Sequence, residues 1–129
     1  MAGGLTSDSP HLPTPAQIEA YGNGGFRFGG MSHRGSLLCL PDGIWAWPVT
    51  QISEITSTAL LPAFERGDVL DVFLIGVGRE PWPLPDRLRS RFRELGISAD
   101  TMATGAAVRT YNVLLAENRR VGAALIAVE

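Results

Sequence analysis

Residues 69–75, VLDVFLI, are apolar on both faces of an extended chain, with Asp71 the one interruption. A strand of that kind needs cover above and below, which half-solvated antiparallel sheets do not give and layered α/β folds do. The strand runs into Gly76-Val77-Gly78 and then into REPWPLP, so the first question is whether this is a nucleotide-binding turn. A dinucleotide fingerprint needs a third glycine three residues after the second, where the helix packs against the strand and presents its N-terminus to a pyrophosphate. Pro81 stands there. A phosphate loop also needs a lysine, and all 11 basic residues are arginine. The Gly-x-Gly element is therefore expected to make a plain strand-to-helix turn.

The rest of the chain supplies the layers. Short strands are expected at 25–29, 35–40 and 43–47, the last two joined by a hairpin at Asp42-Gly43, and Trp45 and Trp47 then share one side of that hairpin. STALLPAFERG reads as a short helix ended by Gly67. PLPDRLRSRFRELG opens with Pro85 and Asp86 and stops at Gly96, with Leu84, Leu88, Phe92 and Leu95 on one stripe. A strand at 97–101, a helix over AAVRTYNVLLAENR capped by Thr104, and a terminal strand at 121–128 complete the order. Alternating strands and helices imply an α/β unit, with crossover helices on a mixed, mostly parallel sheet and antiparallel N-terminal strands added to it. Residues 1–20 are expected to form a flexible tail and 21–129 a single domain.

The length of 129 residues suits one core. A net charge of −2 offers no footprint for nucleic acid or an anionic membrane surface. The absence of lysine excludes Schiff-base chemistry, and Cys39, the one cysteine, excludes an internal disulfide and fits a reducing, cytoplasmic setting. Residues 1–16 carry no Arg or Lys and resemble neither a secretory nor a transit peptide, and no apolar run reaches membrane-spanning length. A soluble protein is expected.

Catalytic sets are thin. His33 and Cys39 lie about 20 Å apart along a straight chain, His11 falls in the tail, and two histidines with one cysteine make no metal-ligand spacing. Asp68, Asp71 and Asp100 near strand ends offer a carboxylate cluster on paper, but carboxylates at such sites usually face water or pair with arginine, and Ser32 and Ser36 flank His33 without a nucleophile context. Arg87, Arg89, Arg91 and Arg93 spread around the polar side of their helix and read as a solvated face. No catalytic residue, metal or cofactor is assigned, and the sequence leans away from an enzyme.

Two candidate sites remain. If strands 69–75 and 97–101 are parallel, Gly76, Gly78, Thr104, Arg109 and Asn112 gather at the carboxyl edge of the sheet, where open α/β folds place ligands, and a small anion could be held there. The structural alternative is that Thr104 caps its helix, Arg109 pairs with a surface carboxylate and Asn112 satisfies a nearby backbone group. The second candidate is a partner-binding surface of Arg79, Trp82, Trp45 and Trp47, since tryptophan is enriched at interface hot spots, against core packing for each ring.

Three segments, FRFGGMSHRGSLLCLP, DVFLIGVGREPWPLP and MATGAAVRTYNVLLAENRRVGAAL, together resemble the small bacterial and archaeal single-domain proteins of unknown function related to mitochondrial NADH dehydrogenase (complex I) assembly factor three. The likeness covers about residues 21–128. Its most specific part is Thr104, Ala106, Ala107, Arg109, Thr110, Tyr111 and Asn112, followed by Glu117, Arg119 and Arg120. The resemblance implies a three-layer α/β domain with an added β-hairpin layer, and an assembly role at a membrane-bound respiratory complex for the mitochondrial relatives. Many relatives have cysteine where Val108 stands, which weakens any shared thiol chemistry. The expectation is a non-catalytic binding or assembly-factor-like module for an unidentified protein partner, possible partners including a membrane respiratory complex. The alternative is a protein or enzyme that takes a small anionic ligand at the carboxyl edge. Nucleic-acid binding and membrane insertion are not expected, and the oligomeric state is left open.

Overall fold

A computed structural model describes residues 10–129. Among these residues eight strands form two sheets and three α-helices pack with them in one α/β domain. The strands are β1 (Ile18–Gly22), β2 (Gly25–Phe28), β3 (Met31–Arg34), β4 (Ser36–Leu40), β5 (Gly43–Trp47), β6 (Val72–Gly76), β7 (Ser98–Met102) and β8 (Val121–Leu125). The helices are α1 (Ser57–Phe64), α2 (Asp86–Glu94) and α3 (Thr104–Ala116). The central sheet has the order β5-β4-β8-β6-β7, and β1-β2-β3 form a separate antiparallel sheet.

The central sheet is mixed: β6 pairs in parallel with β7 and β8, while β4 pairs antiparallel with β5 and β8. It is thus balanced rather than mostly parallel. The 36–47 hairpin supplies two of its five strands, and the added layer comes from residues 18–34 instead.

Strand β6 lies inside, as its two apolar faces require. Phe73 and Ile75 point toward the layer of α1 and α2, where they join Leu60, Phe64, Leu88 and Phe92. Leu74 points to the other side, among Phe26, Phe28, Val108 and Tyr111 from the small sheet and α3. Phe92 stacks on Phe73 with ring centroids 5.6 Å apart and meets Phe64 edge-on at 4.8 Å. Each such buried ring stabilises the fold by about 1.5–3 kcal/mol through removal of apolar surface from water.

The helix signals in the sequence act much as written. Pro85 is the N-cap of α2, Asp86 lies in its first turn, and Gly96 takes a φ of 75° just after its end. Thr56 caps α1, its hydroxyl accepting from the Ala59 N–H at 3.2 Å. For α3 the expectation changes. Ala103 is the N-cap and makes no side-chain bond, while Thr104 is the first helical residue and is fully buried.

The tail boundary also moves. Ile18–Gly22 form β1, and Leu12 exchanges backbone hydrogen bonds with Ile44 of edge strand β5 at 2.9 and 3.4 Å. The part of the expected tail at residues 1–9 lies outside the described residues.

Candidate functional site

At the carboxyl edge of the central sheet, residues 126–129 continue beyond β8 as a strap bonded to its neighbours β6 and β4 and then to the turn between β1 and β2. The Ile126 N–H donates to the Gly76 carbonyl at 2.9 Å, and the Gly24 N–H donates to the Val128 carbonyl at 2.9 Å. Arg79 reaches the same strap and donates through Nη2 to the Glu129 backbone carbonyl.

Thr104 ties the strap to the turn. Its Oγ1 donates to the Ile126 carbonyl at 2.7 Å and accepts from the Gly78 N–H at 3.0 Å, while its own N–H donates to the Gly78 carbonyl at 2.9 Å. Gly78 has a φ of 94°, a left-handed conformation that glycine adopts without a Cβ clash. At Gly76 a Cβ would lie 3.0 Å from the Thr104 Cα, so the turn and helix are in close backbone contact.

Asn112 is also engaged by the fold. Its Oδ1 accepts from the Ile18 N–H at 2.8 Å and its Nδ2 donates to the Ile18 carbonyl at 2.9 Å. The carboxamide thereby replaces a neighbouring strand at the edge of β1, which answers the backbone's need for paired groups. Arg109 is exposed, with no hydrogen-bond partner among the described residues. Of the five edge candidates, Gly76, Gly78 and Thr104 meet. Asn112 lies about 12 Å farther along α3 at 1.5 Å per residue.

The tryptophan candidates divide in a similar way. Trp82 is partly buried against the α1/α2 core, and its carbonyl accepts from the Thr101 hydroxyl of β7 at 2.6 Å. Trp45 and Trp47 belong to β5, the opposite edge, about 19 Å away across four strand spacings. Trp82 with Arg79 and Trp45 with Trp47 are therefore two surfaces.

Trp45 and Trp47 share one side of β5, as expected, and that side faces α1 across an open groove of about 640 Å³. Its volume falls in the range of small-ligand sites. Leu38 and Leu40 line its β4 side. Trp47 is buried and its Nε1 donates to the Ala59 carbonyl at 3.0 Å, which fixes the indole against α1. Trp45 is half-buried, and the Arg66 guanidinium lies 5.3 Å from its ring centroid.

Arg66 in turn grips Asp42 through Nε at 2.7 Å and Nη2 at 2.9 Å, and donates through Nη1 to the Pro62 carbonyl at 2.7 Å. The hydrogen bonds from Arg66 hold the Asp42 carboxyl below its usual range. Glu54 is held below its usual range chiefly by the Thr50 N–H, which donates to Oε1 at 2.7 Å. Glu54, Pro62, Glu65 and Arg66 were not singled out in the sequence. An internal proline in α1 was the one visible irregularity, and the groove depends on contacts between β5 and α1 that no local pattern encodes.

The thiol has no part in either place. Cys39 is fully buried, and burial pushes its ionisation up to about 12. Among the described residues no three His, Cys, Asp or Glu side chains gather as a metal site, and no helix is long and apolar enough to cross a membrane.

Several known proteins are similar to this chain. A family model described as a protein of unknown function (DUF498/DUF598) matches residues 18–126. An uncharacterised protein of Rhodobacter capsulatus is 40% identical over 109 residues, covering 84% of this chain and 82% of its own. NADH dehydrogenase [ubiquinone] 1 alpha subcomplex assembly factor 3 of Rattus norvegicus is 27% identical over 115 residues, covering 89% of this chain, and the match spans 62% of the assembly factor. Among solved structures, a Bartonella henselae protein described as an outer membrane protein superposes with a TM-score of 0.88 at 53% identity, covering 92% of this chain and all of that one.

Proposed function

The chain belongs to the DUF498/DUF598 family of proteins of unknown function, and from that premise we propose that it is a non-catalytic, assembly-factor-like module that holds a protein partner in the groove between β5 and α1. The observation that carries this reading is the open 640 Å³ groove walled by Trp45 and Trp47. Rigid indoles beside an apolar floor are what interface hot spots are made of. Its relationship to the complex I assembly factors supports a protein partner, and a respiratory NADH dehydrogenase subunit is the first one to test. The cytoplasm is the compartment proposed with it.

The carboxyl edge has less to offer a ligand. The polar atoms of Thr104 and Asn112 are bonded to the protein backbone, which leaves fewer of them for a ligand.

A photo-crosslinking residue in place of Thr58, which lines the groove, tests the proposal in native cells, with the same residue at Ser90 on α2 as the comparison. A discrete partner adduct is expected from position 58 and not from position 90, and Trp45→Ala should weaken it severalfold. Equal adducts from both positions, or none from position 58, would remove the proposal.

A further inference from the structure

We infer that the segment received by the β5–α1 groove is extended and basic, with two cationic side chains about four to six residues apart that pair with Glu54 and Glu65. This rests on the partner-docking reading above and names the chemistry of the occupant.

Charge is the first argument. The lining carries Glu54, Glu65 and Arg66. The charge of Arg66 is already matched by Asp42 through two hydrogen bonds. Counting Asp42 with the lining, three carboxylates face one guanidinium, a formal charge of −2. Glu65 is exposed and has no side-chain partner among the described residues. Glu54 is fixed through Oε1 by the Thr50 N–H and hydroxyl at 2.7 and 3.0 Å, which leaves Oε2 available.

Hydrogen-bonding capacity points the same way. Pro62 lies inside α1 and has no N–H to return to the Thr58 carbonyl four residues earlier. Thr58 and Pro62 both line the groove. A residue of the lining that lies between Glu54 and Glu65 in the sequence therefore has a carbonyl without its usual helical donor, and the groove suits a segment that brings donors. Arg66 shows that the site suits such a group, since its guanidinium is held by a carboxylate, a carbonyl and an indole face.

Spacing sets the length of the segment. Helix α1 has eight residues, about 12 Å at 1.5 Å each. Glu54 lies three residues before its start, across the extended Ile55 and Thr56, and Glu65 directly follows its end. The two glutamates are therefore separated by the helix plus up to about 10 Å, and an extended chain rising about 3.3 Å per residue covers that span in about four to six residues.

The test is a two-dimensional NMR titration of the whole chain with three pentapeptides, carrying arginine, glutamine or glutamate at both the first and fifth positions and small residues between. The arginine peptide is expected to shift the Trp45 and Trp47 indole signals and the α1 amides, and to bind about tenfold more tightly than the glutamine peptide, with the glutamate peptide weakest. The double variant Glu54→Gln/Glu65→Gln, both on the surface, should keep the fold and bind the arginine and glutamine peptides alike. Equal groove binding of all three peptides by the unaltered chain would overturn the inference while leaving partner docking in place. No groove shift with the arginine peptide would also overturn it, as would dilution-dependent groove shifts without peptide, which would put a second copy of the chain there. Loss of the Thr58 crosslink, by contrast, would remove the docking reading itself.

Discussion

Thr104 has no solvent contact, yet its hydroxyl satisfies two backbone groups from different segments, the Gly78 N–H and the Ile126 carbonyl. Removing one partner of a buried hydrogen bond leaves the other desolvated and unpaired, at about 1–3 kcal/mol. Thr104→Val should therefore lower unfolding stability in urea by about that amount, whereas Thr104→Ser should retain most of it. His33 offers a pH-dependent counterpart. Its ring centroid is 4.7 Å from that of His11, and burial, followed by the neighbouring His11, depresses its pKa below 6.5. The folded protein then binds fewer protons than the unfolded chain below that value, so this contribution to stability is intact above about pH 6.5 and falls as pH drops through the depressed folded pKa. Melting temperature followed downward from pH 7.5 should decline less in His33→Gln than in the unaltered chain. Identical declines would exclude a contribution from this ring.

At the scale of elements, α1 combines a regular cap with an internal proline. Thr56 closes its N-terminus, but Pro62 forgoes one helical hydrogen bond, a loss that costs up to about 3 kcal/mol in a helix interior. Pro62→Ala should raise the stability of the domain by about 1–3 kcal/mol in thermal or urea unfolding. Because the restored N–H would engage the Thr58 carbonyl, the same variant should bind the arginine peptide more weakly. A proline retained only for packing would give lower stability and unchanged binding on substitution. Strand β1 shows a different economy, in which the Asn112 side chain replaces a neighbouring strand on Ile18. Asn112→Leu should accelerate amide exchange at Ile18 without disturbing the central sheet, as measured by hydrogen exchange.

The whole molecule explains which parts of the sequence were readable. The doubly apolar β6, the Pro85-Asp86 start and Gly96 stop of α2, and the parallel β6–β7 pair follow from local patterns, and all are present. Strand β1 was missed because it buries only Ile18 and falls largely within the expected tail, and β3 because MSHR has one apolar residue and none fully buried. The alternative that Asn112 serves a backbone group was legible from its residue type, although its partner on β1 lay 94 residues away. The carboxyl-edge candidate was drawn from a general rule for open sheets, and no local pattern shows that Thr104 is bonded to Gly78 and to Ile126 beyond β8. The groove was visible only as Trp45 and Trp47, since Glu54, Glu65 and Arg66 join them through tertiary contact.

The proposal that a partner docks in the β5–α1 groove and not at the carboxyl edge is tested most directly by hydrogen exchange with and without the crosslinked partner bound. Slowed exchange is expected in residues 45–49 and 57–66, with residues 76–79 and 104–109 unchanged. Protection confined to 76–79 and 104–109 would contradict the account and return the site to the carboxyl edge of the sheet.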